Sequence, residues 1–471
     1  MYNWREIYEP LHRELIIMQV SKHLEVIEFN EYALCFHSLL GNLNFLEPSY
    51  LSMLKKFDAN VKHQSNELII VEELREAHYL EEGEENARTV IANCNKEWMK
   101  LIPGGGQLRL LNLVISEACN FGCKHCLHSC SVKNSETHGS KKIMGWETAK
   151  LAIDSYTQII RNAGNGPLSV HFGSAEPLLN WDVMQRSIVY TKDLDSEASL
   201  SVNTNLSLMT LSQASFLKEY GVYIATSLDG PPEGNDAIRT YRNGKGTHKD
   251  ILRAIDIMSE VGYPLDGFSI TINDLNFDFI DENFIDWASK RGFEGIATDI
   301  DLINVKNANR SIDECLEKLL DLRHACQERG IENTGSWTTI YDSLVNGVED
   351  GMTTFCKAAK GRNISVNPEG QLFICGHTTS LLGTLDRFEE AFEKNGPYYE
   401  LVESRLPGND PQCFGCSIEG ICAGQCQITR EVAEATGNGR ANYLCKFLRQ
   451  ATFQLLKEKL DSEIQQELTR R

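Results

Sequence analysis

Two alternating runs, His23–Phe29 and Tyr32–Phe36, flank Asn30 and Glu31, which predicts a β-hairpin with a two-residue turn. Helical spacing continues from Tyr50 to Phe57. More helical sequence, carrying the acidic patch Glu81–Glu85, runs on to the break at Pro103–Gly106. Residues 1–102 are therefore expected to form a region separate from the rest of the chain. From Leu108 the pattern changes: strand-like runs near 108–115, 168–172, 199–203, 222–227, 267–271 and 295–301 alternate with helical stretches. In the helices apolar residues recur every three or four positions, as at Ala149, Ile153, Tyr156 and Ile160. Strand and amphipathic helix in turn are the signature of parallel βα units. Six such units predict an α/β fold, a partial (β/α)6 TIM-like barrel over residues 107–310, with an open side for a large substrate. A linking helical segment, 311–350, and a C-terminal domain, 351–471, complete the expected order. That domain ends in a helix, Tyr443–Leu468, whose stripe of Leu444, Phe447, Leu448, Ala451, Leu455 and Leu456 is expected to pack on the barrel.

Charge and composition narrow the partners. The chain has 471 residues, with 66 acidic against 46 basic side chains and a formal charge of −20. Such a balance argues against a broad phosphate-binding face, so no nucleic-acid partner is expected. The start, Met1 to Glu6, lacks a basic segment leading into an apolar one, and no apolar run reaches membrane-spanning length. A cytoplasmic protein without a membrane partner is expected. In that reducing compartment the 15 cysteines read better as metal ligands than as disulfides. Cys35, Cys94, Cys130, Cys315 and Cys326 are scattered and are expected to be free thiols; the other ten fall into two arrays.

The first array is Cys119-x3-Cys123-x2-Cys126, placed just after the apolar run Leu108–Ile115. Three thiolates do not complete a tetrahedral zinc site. On a [4Fe–4S] cube, three leave one iron open to another ligand. The loop would lie at the C-terminal end of a barrel strand, the end at which barrel enzymes keep their active sites. A zinc knuckle or a chance group of cysteines are the alternatives on spacing alone.

In position and spacing this array resembles the signature of the radical S-adenosylmethionine (radical SAM) superfamily. The resemblance implies that the open iron binds SAM and that reductive cleavage releases a 5'-deoxyadenosyl radical. Gly173-Ser174-Ala175-Glu176-Pro177 stands where the family has Gly-Gly-Glu-Pro, which implies that Gly173, Ser174 and Glu176 hold SAM's methionine amino group. Here Ser174 replaces the second glycine and Ala175 is an added residue. Asn203-Thr204-Asn205 resembles the polar ribose-side loop, with Leu206 at the usual glycine position. Ser227, with Arg239 twelve residues on, matches a pair that contacts SAM's ribose and carboxylate. A guanidinium fork suits a carboxylate. The stretch Tyr241–Thr247 is expected to close this loop over the site.

The second array is Cys356-x13-Gly370-x4-Cys375, then Cys413-x2-Cys416-x5-Cys422-x3-Cys426 and finally Cys445. It resembles the seven-cysteine SPASM domain of radical SAM peptide maturases. The resemblance implies two auxiliary clusters and so three [4Fe–4S] clusters in all. Cys413, Cys416, Cys422 and Cys445 would hold one auxiliary cluster, and Cys356, Cys375 and Cys426 the other. No cysteine shortly precedes Cys356, so a fourth ligand is expected from Asp350, a distant thiol such as Cys326, water or substrate.

The family thus implies a maturase for a ribosomally made precursor peptide, which it would close with a thioether or carbon–carbon crosslink. The hairpin and helices of residues 1–102 resemble a winged-helix-like domain that grips a leader peptide by strand addition. A small redox protein would supply electrons. An anaerobic sulfatase-maturating enzyme is a rival, but there an Asp follows the second SPASM cysteine, where this chain has Gly376, with His377 beside it. A peptide epimerase is another. An iron–sulfur electron-transfer or peptide-carrier protein is the non-enzymatic alternative, and it would have no use for Ser227 and Arg239.

Overall fold

The computed structural model describes residues 19–58, 68–81, 86–126, 142–301, 310–347, 354–436 and 440–470. Cys130, Asp350 and Glu82–Glu85 lie outside them. The N-terminal strands are β1 (Gln19–Val20), β2 (Leu24–Phe29), β3 (Tyr32–His37), β4 (Leu43–Leu46) and β5 (Leu80–Glu81). β2, β3 and β4 form an antiparallel sheet, and Phe29 faces Tyr32 across the predicted turn, where Asn30 takes φ 56°. The helix Pro48–Asp58 covers the spacing seen from Tyr50 to Phe57.

Every residue of β3 is buried, so the N-terminal region packs closely on the rest of the molecule. Ala33 and Cys35 face a small core with Leu51, Leu54, Leu74 and Tyr79. Tyr32, Leu34 and Phe36 face the main core of the molecule. A sheet apolar on both faces needs a second layer on each. Alternation in β2 alone did not reveal this. Polar contacts fasten the same region to the C-terminal domain. Arg88 donates two hydrogen bonds to Glu419, at 2.9 and 3.1 Å, and the Trp98 indole donates to the Lys360 carbonyl at 3.0 Å. Gly420 donates its N–H to Ser38 at 2.9 Å; a Cβ there would lie 1.8 Å from the Leu39 carbonyl oxygen.

The barrel strands are β6 (Leu110–Leu113), β7 (Ser169–Phe172), β8 (Ser199–Asn203), β9 (Tyr223–Ala225), β10 (Gly267–Ile272) and β11 (Gly295–Ile300). All run parallel in this order, β9 meeting β10 only at the Ser227–Ser269 bridge. The six predicted strands are present. Two more extend the sheet. β12 (Glu332–Thr334) pairs in parallel with β11, and β13 (Asn363–Val366) pairs in parallel with β6 before turning into the antiparallel β14 (Gln371–Phe373) and β15 (Gly383–Thr384). Segment 311–350 is therefore not wholly helical, and the C-terminal domain shares the barrel's sheet. Glu332-Asn-Thr334 is short and polar, which hides a strand from hydrophobic periodicity.

Alternation along the strands sorts the faces. Phe268 packs outward on Phe284 and Phe293, which puts Ser269 and Thr271 inside; opposite them in register stand Ala297 and Asp299. The last helix, Arg440–Arg470, buries all six residues of its predicted stripe. It packs on helices Ile312–Glu328 and Thr339–Asn346 and also on β2 and β3, with Phe453 5.7 Å from Phe36. No helix among the described residues is long and apolar enough to cross a membrane.

Candidate functional site

The loop after β6 brings Cys119, Cys123 and Cys126 together, each partly buried. The segment after Ile238 clamps it from outside. Gly122 and Lys124 donate N–H groups to Thr240 and Ile238, and Phe121 meets Tyr241 edge-on at 5.0 Å. The predicted closing stretch 241–247 thus folds against this loop. Burial and the neighbouring thiols push Cys119 up to about 11 and Cys123 up to about 12. The Phe121 N–H points at Cys119 Sγ from 3.4 Å, and Arg239 Nη1 lies 3.8 Å from Cys123 Sγ.

Glu176 is fully buried at the centre of three loops. It accepts from Thr204 Oγ1 at 2.6 Å, the Asn205 N–H at 2.8 Å and the Leu178 N–H at 3.0 Å, while its own N–H bonds Ala118 beside Cys119. Burial raises its carboxyl above the ordinary glutamate value despite these bonds. Both oxygens are thus engaged with protein. Where the motif implies a contact to the SAM amino group, the structure shows a residue locking the β7, β8 and cluster loops together. Ser174 and Leu206 carry φ 106° and 62°. Both are places where the family has glycine, and both keep a glycine-like backbone.

Arg239 is 8% exposed. Its Nε and Nη2 each lie 2.8 Å from Asp229 Oδ2, and Nη2 lies 3.3 Å from His125 Nε2. Nη1, beside Cys123, and Nη2, beside His125, both reach the cysteine loop. Burial holds His125 below the ordinary histidine value, against the pull of Asp229. Ser227 sits half-buried at the β9–β10 seam, across from Ser269.

The seven later cysteines fall into two groups. Cys413 is coupled electrostatically to Cys416, Cys422 and Cys445, and Cys426 to Cys356 and Cys375. Cys326 is fully buried in the helix Ile312–Glu328, with Arg329 and Arg323 as its charged neighbours. Cys315 is also buried, Cys35 lies in the N-terminal core, and Cys94 is exposed. Asp350 is outside the described residues. Glu431 is coupled to Cys375, but its oxygens accept from Thr379, Ser380 and Gln427.

Residues 113–288 match the family model of the Radical SAM superfamily. The chain carries a radical SAM domain. It is 26% identical over 436 residues to the radical SAM cyclopropyl synthase TigE of Paramaledivibacter caminithermalis, covering 88% of this chain and 90% of that one. It is 22% identical over 385 residues to a serine-type anaerobic sulfatase-maturating enzyme of Bacteroides thetaiotaomicron, covering 70% and 85%. Among solved structures, native anSMEcpe with bound AdoMet superposes with TM-score 0.60 at 18% identity, over 75% of this chain and 98% of that one. Streptococcus suis SuiB bound to precursor peptide SuiA superposes with TM-score 0.51 at 15% identity, over 87% and 96%. These two likenesses establish the fold.

The donor set of the radical SAM domain suits an iron–sulfur cluster. Buried thiols held near one another deprotonate when a metal supplies the opposing charge. Among the described residues no three His, Cys, Asp or Glu side chains converge as they would round one ion, and a four-iron cube needs its thiolates further apart. One further residue of the barrel was not singled out by the motifs. Asp299 lies on the inner face near the end of β11, with Oδ1 2.7 Å from the Ser336 N–H and 2.5 Å from its hydroxyl. Burial pushes its carboxyl up to about 6. The nearby Asp301 is coupled to His125, which brings this strand end to the cysteine loop. A carboxylate pair closing a barrel strand, Asp299-Ile-Asp301, was the available signal.

Proposed function

We propose that this chain is a radical SAM enzyme that matures a ribosomally made precursor peptide by forming an intramolecular carbon–carbon bond, in the manner of a ring closure. The observation carrying it is the joint presence of the clamped Cys119–Cys126 loop and two further cysteine groups on a barrel akin to TigE over most of both chains. Cys119, Cys123 and Cys126 would hold the SAM-binding cluster, and the seven later cysteines two auxiliary clusters. A likeness to SuiB, a structure holding its precursor peptide, supports a peptide substrate. The carbon–carbon product is preferred to a thioether because TigE, alike over most of both chains, is a cyclopropyl synthase.

With Cys119, Cys123 and Cys126 holding the cluster, bound SAM would supply the radical chemistry that removes one hydrogen atom from the peptide. The protein's own residues do the rest of the positioning. Glu176 fixes the three loops, the Asp229–Arg239 pair holds the cysteine loop, and Asp299 accepts the proton lost by the peptide at Oδ2, for which no partner is found among the described residues. Closing a ring between two C–H carbons removes two hydrogens in total: one leaves as the atom, the other as proton and electron. A small redox protein would deliver the priming electron, and the N-terminal sheet would hold the leader.

The sulfatase-maturating reading is disfavoured by Gly376. A Cβ there would lie 2.7 Å from Asn112 Nδ2 and 3.1 Å from Val114 Cγ2, so a carboxylate at this position would have to displace both side chains. Anaerobic co-expression with the short reading frame beside the gene, followed by mass spectrometry, tests the proposal. Loss of one hydrogen pair with every peptide thiol still alkylatable is expected. Unchanged mass with deuterium uptake would mean epimerisation, and a lost thiol would mean a thioether.

A further inference from the structure

Arg405 is a buried cation without an acidic partner. It is 2% exposed, and among the described residues no carboxylate pairs with it. Its Nη2 donates to the carbonyls of Ala423, Gly424 and Gln425 at 3.3, 2.7 and 2.6 Å. Nη1 bonds the Gln427 side chain, and Nε has no hydrogen-bond partner among the described residues. The three carbonyls converge because Ala423, Gly424 and Gln425 all take positive φ, at 46°, 85° and 65°. That conformation is rare for Ala and Gln. An ion buried without a counter-charge is strongly unfavourable, so a negative body is expected beside it.

The neighbours say which body. Residues 423–425 are the whole linker between Cys422, of the four-cysteine group, and Cys426, of the three-cysteine group. Gln425 also donates its N–H to Cys422 Sγ at 3.3 Å and its side-chain amide to Cys445 Sγ at 3.1 Å. Arg405 is coupled to Cys356, Cys422 and Cys426, thiols of both groups. Arg430 is close as well, but Asp410 already balances its charge.

We infer that Arg405 is the shared counter-cation of the two auxiliary clusters, a positioning residue that shapes the Cys422–Cys426 linker and raises both reduction potentials. This rests on the assignment of the seven cysteines to two clusters. A thiolate-bound cluster becomes more negative with each electron, and a fixed positive charge in a low-dielectric setting favours that reduced form. Hydrogen bonds to the sulfurs act in the same direction. Arg405 therefore eases uptake of the one electron released when the peptide ring closes; no bond breaks and no proton moves at Arg405.

The test is a potentiometric titration, followed by electron paramagnetic resonance, of full-length protein reconstituted with iron and sulfide. Wild type, Arg405→Gln, Arg405→Lys and Arg430→Gln are compared. In Arg405→Gln the auxiliary clusters should be about tenfold less reduced at a fixed poise, ~59 mV for a one-electron couple. The N-terminal cluster should not shift, Arg405→Lys should recover most of the loss, and Arg430→Gln should shift less. Full iron with unshifted auxiliary potentials in Arg405→Gln would overturn the inference. So would loss of auxiliary iron in both Arg405 variants, which would make the side chain a scaffold alone. Wild type lacking iron at the seven cysteines would instead sink the cluster assignment, and iron and sulfide counts separate the two.

Discussion

The Ser174 hydroxyl donates a hydrogen bond to the Gly376 carbonyl at 3.0 Å, joining the loop after β7 to the residue next to Cys375. Ser174 Cβ would also lie 3.4 Å from any Cβ built on Gly376. The loop after β7 and the loop that holds Cys375 are therefore in direct contact. Gly376→Asp should force Asn112 and Val114 aside, an overpacking cost of about 1–3 kcal/mol. A lower thermal midpoint and less auxiliary iron are expected, with no formylglycine formed on a sulfatase Cys peptide. A stable, fully loaded variant that makes formylglycine would refute this account.

Ser174→Gly sets two effects of similar size against each other. Glycine relieves a positive-φ strain of about 1 kcal/mol or slightly more. It also removes a hydrogen bond whose net worth is about 0.5–1.5 kcal/mol. The thermal midpoint should hardly move, while the tie to Gly376 is lost. SAM cleavage without peptide should persist, and the yield of modified peptide per 5'-deoxyadenosine should fall. A large drop in the midpoint would show that the bond outweighs the strain.

Motif spacing made much of this legible, for reasons that also mark where it stopped. Regular βα alternation gave the six barrel strands, because apolar residues recur at every second position along them, as at Phe268, Ile270 and Ile272, and every third or fourth along the helices between. β12 was missed because Glu332-Asn333-Thr334 has no apolar residue to mark it, and β13 because Asn363–Val366 lies in a stretch read for its cysteine spacing alone. The cysteine groups came from spacing. The task of Glu176 did not, since a motif shows which residue stands in a loop but not which neighbours take its oxygens. Arg239 likewise stands where the motif put it, with Nε and one Nη2 donor given to Asp229. Asp299 lay inside a strand that had been read for its apolar residues alone.

The Asp229–Arg239 pair is the next place to intervene. Both side chains are at least nine-tenths buried, and removing one partner of such a pair leaves a costly lone charge, ~3–5 kcal/mol. Asp229→Ala should therefore damage the protein more than Arg239→Lys, which keeps the charge but not the fork. In Asp229→Ala, the N-terminal cluster signal should weaken while the auxiliary signals persist, because the pair reaches Cys123 and His125 of the first array and none of the seven later cysteines among the described residues. Equal loss of all three clusters would point instead to general misfolding.

Asp299 gives the prediction with the clearest sign. Its carboxyl is raised to about 6, so the fold favours the protonated form and the proton-accepting carboxylate appears as pH rises through that value. Product formation at saturating SAM and peptide should climb through pH about 6 and then level. Asp299→Asn should abolish that limb together with most product, yet still release 5'-deoxyadenosine and still take deuterium from labelled peptide. Stability moves the other way. Ionising a group whose folded pKa is raised costs stability, so wild type should weaken between the ordinary Asp value near 4 and about 6, and the Asn variant should lack that slope. Ser336→Ala removes the hydroxyl bond to Oδ1, which favours the charged form, and should move the limb upward in pH. A limb that stays in place in Asp299→Asn would assign the proton to another group at the barrel mouth.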